Sequence, residues 1–160
     1  MATTVEVVDG KTRYDGRTLA EWVPELHDDL IRWTLWSKDR AVVSHETALA
    51  VQGIGEFESP RVHLTAPPGF SMRDDAVVLH HADLPDVDII EQAGFRTTTA
   101  VRSLVDMAAV GADEAQLARA IHEAAESGYL TLRQLRVRAE LVNVKGALRI
   151  ERAIHRIEVT

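Results

Sequence analysis

Between Trp22 and Trp36 the apolar residues Trp22, Leu26, Leu30 and Trp33 recur at helical spacing, with Asp28, Asp29, Arg32 and Lys38 as polar neighbours. The pattern predicts a helix with Pro24 in its first turn, where a missing N–H costs little. All three tryptophans fall in this segment, and the simplest expectation is that they pack the helix onto the body of the protein. Ser44 is placed to cap a second helix running to about Gln52, with Gly53 as its stop. The period then changes to two. Val62 and Leu64 alternate with Arg61, His63 and Thr65; Val77 and Leu79, Val87 to Ile90, and Phe95 to Thr98 form three more short runs. Pro67-Pro68-Gly69, Leu84-Pro85-Asp86 and Gly94 separate the four predicted strands.

Helical spacing returns after Thr99, which caps a predicted helix carrying Val101, Leu104, Val105 and Ala108 and ending at Gly111. Asp113 with Gln116 reads as a capping box for a helix striped by Leu117, Ile121 and Ala124 and closed by Gly128. Thr131 with Gln134 makes another box, opening a helix through Leu135 and Leu141. A last stripe runs Ala147, Ile150, Ile154, Ile157. At the other end Val5 to Val8, Asp9-Gly10 and Lys11 to Tyr14 read as a hairpin, since Asp-Gly accepts the positive φ angles of a tight turn. The predicted fold is α+β: a small, largely antiparallel sheet packed by helices, with a helical C-terminal tail and a short N-terminal hairpin. Residues 1–17 form the hairpin, 18–130 the body, and 131–160 a basic helical tail of the same domain.

At 160 residues and 46% hydrophobic, the chain is long enough to bury a core. It has no cysteine, which excludes disulfides and thiolate metal sites and makes a cytoplasmic location the expectation. The N-terminus lacks the basic start and apolar run of a signal peptide, and no window is apolar enough for a membrane span. Net charge is −7, against general attraction to nucleic acid or anionic lipid. Within the tail, however, Arg133, Arg136, Arg138, Lys145, Arg149, Arg152 and Arg156 outnumber Glu140, Glu151 and Glu158, so an acidic body carries a basic end.

Catalytic chemistry finds little support. His122-Glu123 is followed by Glu126 where a helical zinc motif needs its second histidine. His80 and His81, adjacent on a strand, point to opposite faces and do not share an ion. Ser44, His45 and Glu46 imitate a nucleophile, base and acid, but helical neighbours diverge by about 100°, so no relay among them is expected. Asp74, Asp75, Asp83, Asp86 and Asp88 lie near turns, where aspartate is ordinary. No catalytic residue, metal site or cofactor is expected. Arg149, Arg152 and Arg156 recur on one helical face, and the seven basic residues of the tail are candidates for an acidic partner or for phosphates, which arginine grips in two-bond geometry.

Ser44-His45-Glu46-Thr47-Ala48-Leu49, Val62-His63-Leu64-Thr65, His80 with Leu84-Pro85, Gly94 through Asp106, and Gly128 to Thr131 occur in that order. Together, over roughly residues 40–135, they resemble the body domain of AbiEi-type antitoxins, proteins of type IV toxin–antitoxin pairs. Ser44, Thr47, Gly53, Pro85, Gly94, Thr99 and Asp106 match as packing and capping residues rather than as a reactive site. Ala100 departs from the family, where proline is frequent. Relatives commonly place a DNA-reading winged helix before the body, and some carry a nuclease-like domain after it. This sequence has no room for a complete winged helix before the matched region, and its hairpin reads as a remnant of a wing or part of a reduced one. The resemblance implies a non-enzymatic antitoxin that neutralises a nucleotidyltransferase-type, AbiEii-like toxin. The alternative it implies is a DNA-binding autoregulator of the operon, with operator DNA as partner.

Overall fold

In the computed structural model, which describes residues 4–8, 11–15 and 19–159 and side chains from Leu26 to Val159, β1 (Thr4–Val8) and β2 (Lys11–Asp15) pair antiparallel with Val5 opposite Tyr14. The expected Asp9-Gly10 turn lies outside the described residues. Helix α1 (Leu19–Trp36) begins a turn before its apolar stripe, so Pro24 falls in the second turn and not the first. There its missing N–H removes a helical hydrogen bond, a cost that the first turn would have hidden. Leu30 is fully buried; Trp33 and Trp36 meet edge to face at 5.4 Å, and Trp36 meets Phe70 at 6.0 Å. These two rings pack the helix onto the body as expected; the side chain of Trp22 lies outside the described residues.

The sheet contains the four predicted strands, the third of them starting only at Ile89 because Val87 and Asp88 lie in a 3-10 turn, and a fifth that is too short to read from the sequence, β3 (Val42–Val43). Helix α2 (His45–Gln52) follows, then β4 (Val62–Ala66), β5 (Val77–His81), a 3-10 turn at Asp86–Asp88, β6 (Ile89–Glu91) and β7 (Arg96–Thr98). The order is β5-β4-β3-β7-β6. β3/β4 and β6/β7 are antiparallel, but β4/β5 and β3/β7 are parallel, so the sheet is mixed rather than largely antiparallel. The segment joining β4 to β5 is too long for a tight hairpin and carries the chain back over the sheet, where its Phe70 enters the core. The Pro-Pro-Gly break shows that a strand ends there; it says nothing of the direction in which the next one returns.

The helical half consists of α3 (Ala100–Ala109), α4 (Glu114–Glu126), α5 (Leu132–Val142) and α6 (Val144–Glu158). The caps form largely as their residues dictate. Thr99 accepts from the Arg102 N–H, Asp113 from Gln116 N–H, and Thr131 with Gln134 completes a reciprocal capping box. Leu104, Leu117, Ile121, Leu135, Ile150 and Ile154 are fully buried in one cluster, so the two tail helices share the core of the body. Each such side chain contributes roughly 1.5–3 kcal/mol of burial. Asn143 ends α5 and caps α6, and Gly146 lets α6 close on α3: a Cβ there would sit 3.2 Å from the Val105 carbonyl. The sheet has its own cluster around Leu30, Val43, Leu64, Phe70 and Phe95. Helix α2 lies between the two, with Leu49 in the helical cluster and Ala48 in that of the sheet. No helix among the described residues is long and apolar enough to cross a membrane.

Candidate functional site

Three histidines distant in sequence meet where the start of α2 crosses β4 and β5. His45 stacks on His80 with ring centres 3.6 Å apart, and His63 Nδ1 lies 3.0 Å from His80 Nε2. His63 Nε2 faces Glu46 Oε1 at 2.8 Å and Ser59 Oγ at 3.1 Å. Thr65 Oγ1 donates to Ser44 Oγ at 2.7 Å, and Ser44 Oγ lies 2.8 Å from His45 Nδ1.

This arrangement corrects two expectations. Ser44 occupies the N-cap position but makes no side-chain cap; its hydroxyl turns to His45 and Thr65 instead. Nor are Ser44 and His45 held apart by helical geometry. His45 has φ 55°, outside the helical region, and that single unusual residue brings the neighbours together. Neighbouring side chains diverge by about 100° only inside a regular helix. His80 and His81 do separate, His80 joining the cluster and His81 turning to the Phe70 carbonyl at 3.0 Å.

Burial holds the imidazoles neutral. It is the main cause lowering His45 to about 2 and His63 to about 4, and it lowers His80 as well; His80 and His63 further oppose a charge on His45, His80 opposes one on His63, and His81 opposes one on His80. Glu46 is raised by burial. With neutral rings, the tautomer in which His63 Nε2–H donates to Glu46 leaves its Nδ1 to accept from His80 Nε2–H. The serine hydroxyl is fully buried, out of reach of a substrate. Among the described residues no three His, Cys, Asp or Glu side chains converge to hold a metal ion. Chemically, the cluster can join α2 to two strands through matched polar contacts.

A second polar centre sits at the far end of the sheet. Asp88, 2% exposed, accepts from Arg102 Nη1 at 2.9 Å and from Arg138 Nε and Nη2 at 2.8 and 2.6 Å. Arg102 Nε also donates to Asp106 at 2.9 Å. Burial raises Asp106, against the pull of Arg102. The hydrogen bonds to Asp88 raise Arg138 further above its ordinary range.

The basic residues of the tail are divided by the fold and do not line up as one row. Arg138 turns inward to Asp88. Arg136 Nε donates to Glu151 at 2.8 Å and its Nη2 to Glu158 at 3.5 Å, while Arg156 lies 3.6 Å from Glu114. Arg149 is half-buried, its guanidinium against Gly111. Arg133, Lys145 and Arg152 are exposed.

The motif residues have structural roles. Thr47 Oγ1 accepts from the His63 N–H at 2.9 Å, Gly53 ends α2 at φ 71°, and the Pro85 carbonyl accepts from Asp88 N–H. Gly94 packs against Ile31, Thr99 caps α3, and Asp106 anchors Arg102.

Leu141, read from the sequence as the partner of Leu135 along α5, is instead 73% exposed, because six residues carry it off the face of Leu135 and Ala139; sequence reasoning passed over Val144 at 74% and Leu148 at 60%. The signal was present. On α5, Arg133, Val137 and Leu141 recur every four residues opposite the buried Leu135 and Ala139, and on α6 Val144, Leu148 and Arg152 do the same opposite Ile150 and Ile154. No family model matches the chain, and no curated protein shows significant similarity to it.

Proposed function

We propose that this chain is a non-enzymatic, antitoxin-like protein of the cytoplasm that neutralises a nucleotidyltransferase-fold toxin by binding it. The observation that carries the reading is the solvent face of α5 and α6, where Leu141, Val144 and Leu148 stand in water beside Lys145 and Arg152. Exposed aliphatic side chains gathered at one helical corner, with cations beside them, suit a protein partner. The histidine cluster supports the same reading from the other direction, since its polar groups are matched to one another and its serine is buried. The resemblance of residues 40–135 to AbiEi-type antitoxins supplies the identity of the partner.

The test is co-expression with a nucleotidyltransferase-fold toxin of the same host, followed by growth and a direct binding titration. Rescue of growth together with a stable complex is the expected result. Toxicity unchanged by this chain would overturn the reading.

Autoregulation of an operon by DNA binding is the second reading, favoured by the β1–β2 pairing, which suits a wing. It fares less well on charge. Arg136, Arg138 and Arg156 already meet acids, leaving Arg133, Lys145 and Arg152 as the exposed tail cations that meet no acid among the described residues. Three phosphate contacts give a salt slope of only about −2.7. Binding of operator DNA with a much steeper slope would favour this reading over the first.

A further inference from the structure

A groove of about 480 Å³ runs between the Asp86–Asp88 turn and the outer face of α5. Val87, Val101, Tyr129 and Val137 line it, and three of these four, Val87, Tyr129 and Val137, are well exposed. Each exposed apolar residue alone would be ordinary, but these come from separate segments of the chain and converge. The floor is the Asp88–Arg138 pair. Both oxygens of that carboxylate are engaged by guanidinium groups, so the one acid lining the groove is matched. Arg133 also lines the groove and has no acidic partner among the described residues. Asp86, beside Val87, is exposed and does not line it.

We propose that this groove docks a protein segment in which an apolar side chain lies within a few residues of a carboxylate. The apolar side chain enters between Val87, Tyr129 and Val137, and the carboxylate pairs with the guanidinium of Arg133. A chain segment suits the site better than a small molecule, because the groove is open and continues through Val137 to exposed Leu141 one helical turn along. The proposal deepens the partner-binding reading by naming the chemistry of what is bound.

The experiment uses the full chain and no toxin, so its failure and the failure of the antitoxin reading are separable. A displayed library of random dodecapeptides is selected on the immobilised protein, and the enriched peptide is synthesised for titration against variants. Enrichment of Leu, Phe or Trp within four residues of Asp or Glu is expected. Val137→Glu and Arg133→Glu should each weaken binding at least tenfold, and a peptide with its acid changed to lysine should regain binding to Arg133→Glu. Both substitutions are at exposed positions, and circular dichroism confirms folding. Enrichment of basic or purely polar sequences, no enrichment, or binding indifferent to both substitutions would overturn the proposal.

Discussion

Arg138 reaches across fifty residues of sequence to Asp88, donating from Nε at 2.8 Å and from Nη2 at 2.6 Å to the two oxygens of one buried carboxylate. The contact ties α5 to the turn before β6, and Arg102 completes it from α3. A site residue expected to face a partner is thereby part of the scaffold that holds the groove beside it.

Removing Asp88 strands Arg138 and leaves the nearly buried Arg102 with Asp106 as its remaining acidic partner. Breaking a buried pair costs roughly 3–5 kcal/mol, so Asp88→Ala should lower the urea midpoint strongly. Arg138→Ala should cost clearly less, because Arg102 still meets the carboxylate. Equal losses in the two variants would show that the Arg102 contact contributes little.

Stability should fall as the solution is acidified. The imidazoles of His45 and His63 have folded values of about 2 and about 4, below the ordinary 6.5, and His80 is lowered too. The unfolded chain therefore binds protons first. The contribution is complete above about pH 6.5 and is lost as pH falls from there through about 4, at up to roughly 1.4 kcal/mol per pH unit for each group. His81, Arg61 and Arg102 add to the opposition to charge, and the raised Glu46 acts in the contrary sense just above its ordinary value. Urea midpoints between pH 7 and pH 5 should decline, and less so in His63→Gln. A flat profile would contradict the burial of these rings.

Ser44→Ala and Thr131→Ala separate two kinds of hydroxyl at helix starts. Thr131 caps its helix, and its loss should cost about 1 kcal/mol. Ser44 does not cap, yet its loss leaves Thr65 Oγ1 and His45 Nδ1 unmatched inside the protein, a cost of about 1–3 kcal/mol. Denaturation of both variants should show Ser44→Ala at least as damaging.

Leu141→Asp with Leu148→Asp changes two side chains that water already surrounds. The fold should keep its stability to within about 0.5 kcal/mol per site, while neutralisation of the toxin and complex formation are lost. Full rescue of growth by the double variant would move the partner surface away from this corner.

Helix boundaries in the C-terminal half were legible because capping is local: Thr99, Asp113 and Thr131 each act on a backbone N–H three residues away. Apolar spacing likewise marked Leu104, Leu117, Ile121, Ile150 and Ile154 for the interior, and period two marked four of the five strands in the main sheet. Strand direction was not legible, because the Pro67-Pro68-Gly69 break is compatible with a return either way; in the fold β4 and β5 run parallel, with Phe70 of their connection in the core of the sheet. Nor were the meeting of His45, His63 and His80 and the pairing of Arg138 with Asp88. Those contacts join residues that share no periodicity and lie seventeen to fifty positions apart. The sequence by itself determined where α3, α4 and α5 begin, which residues of the C-terminal helices form the buried stripe, and that the tail is basic. Tertiary structure decided which cations remain exposed and which histidines are buried, since both depend on what another part of the chain places opposite them.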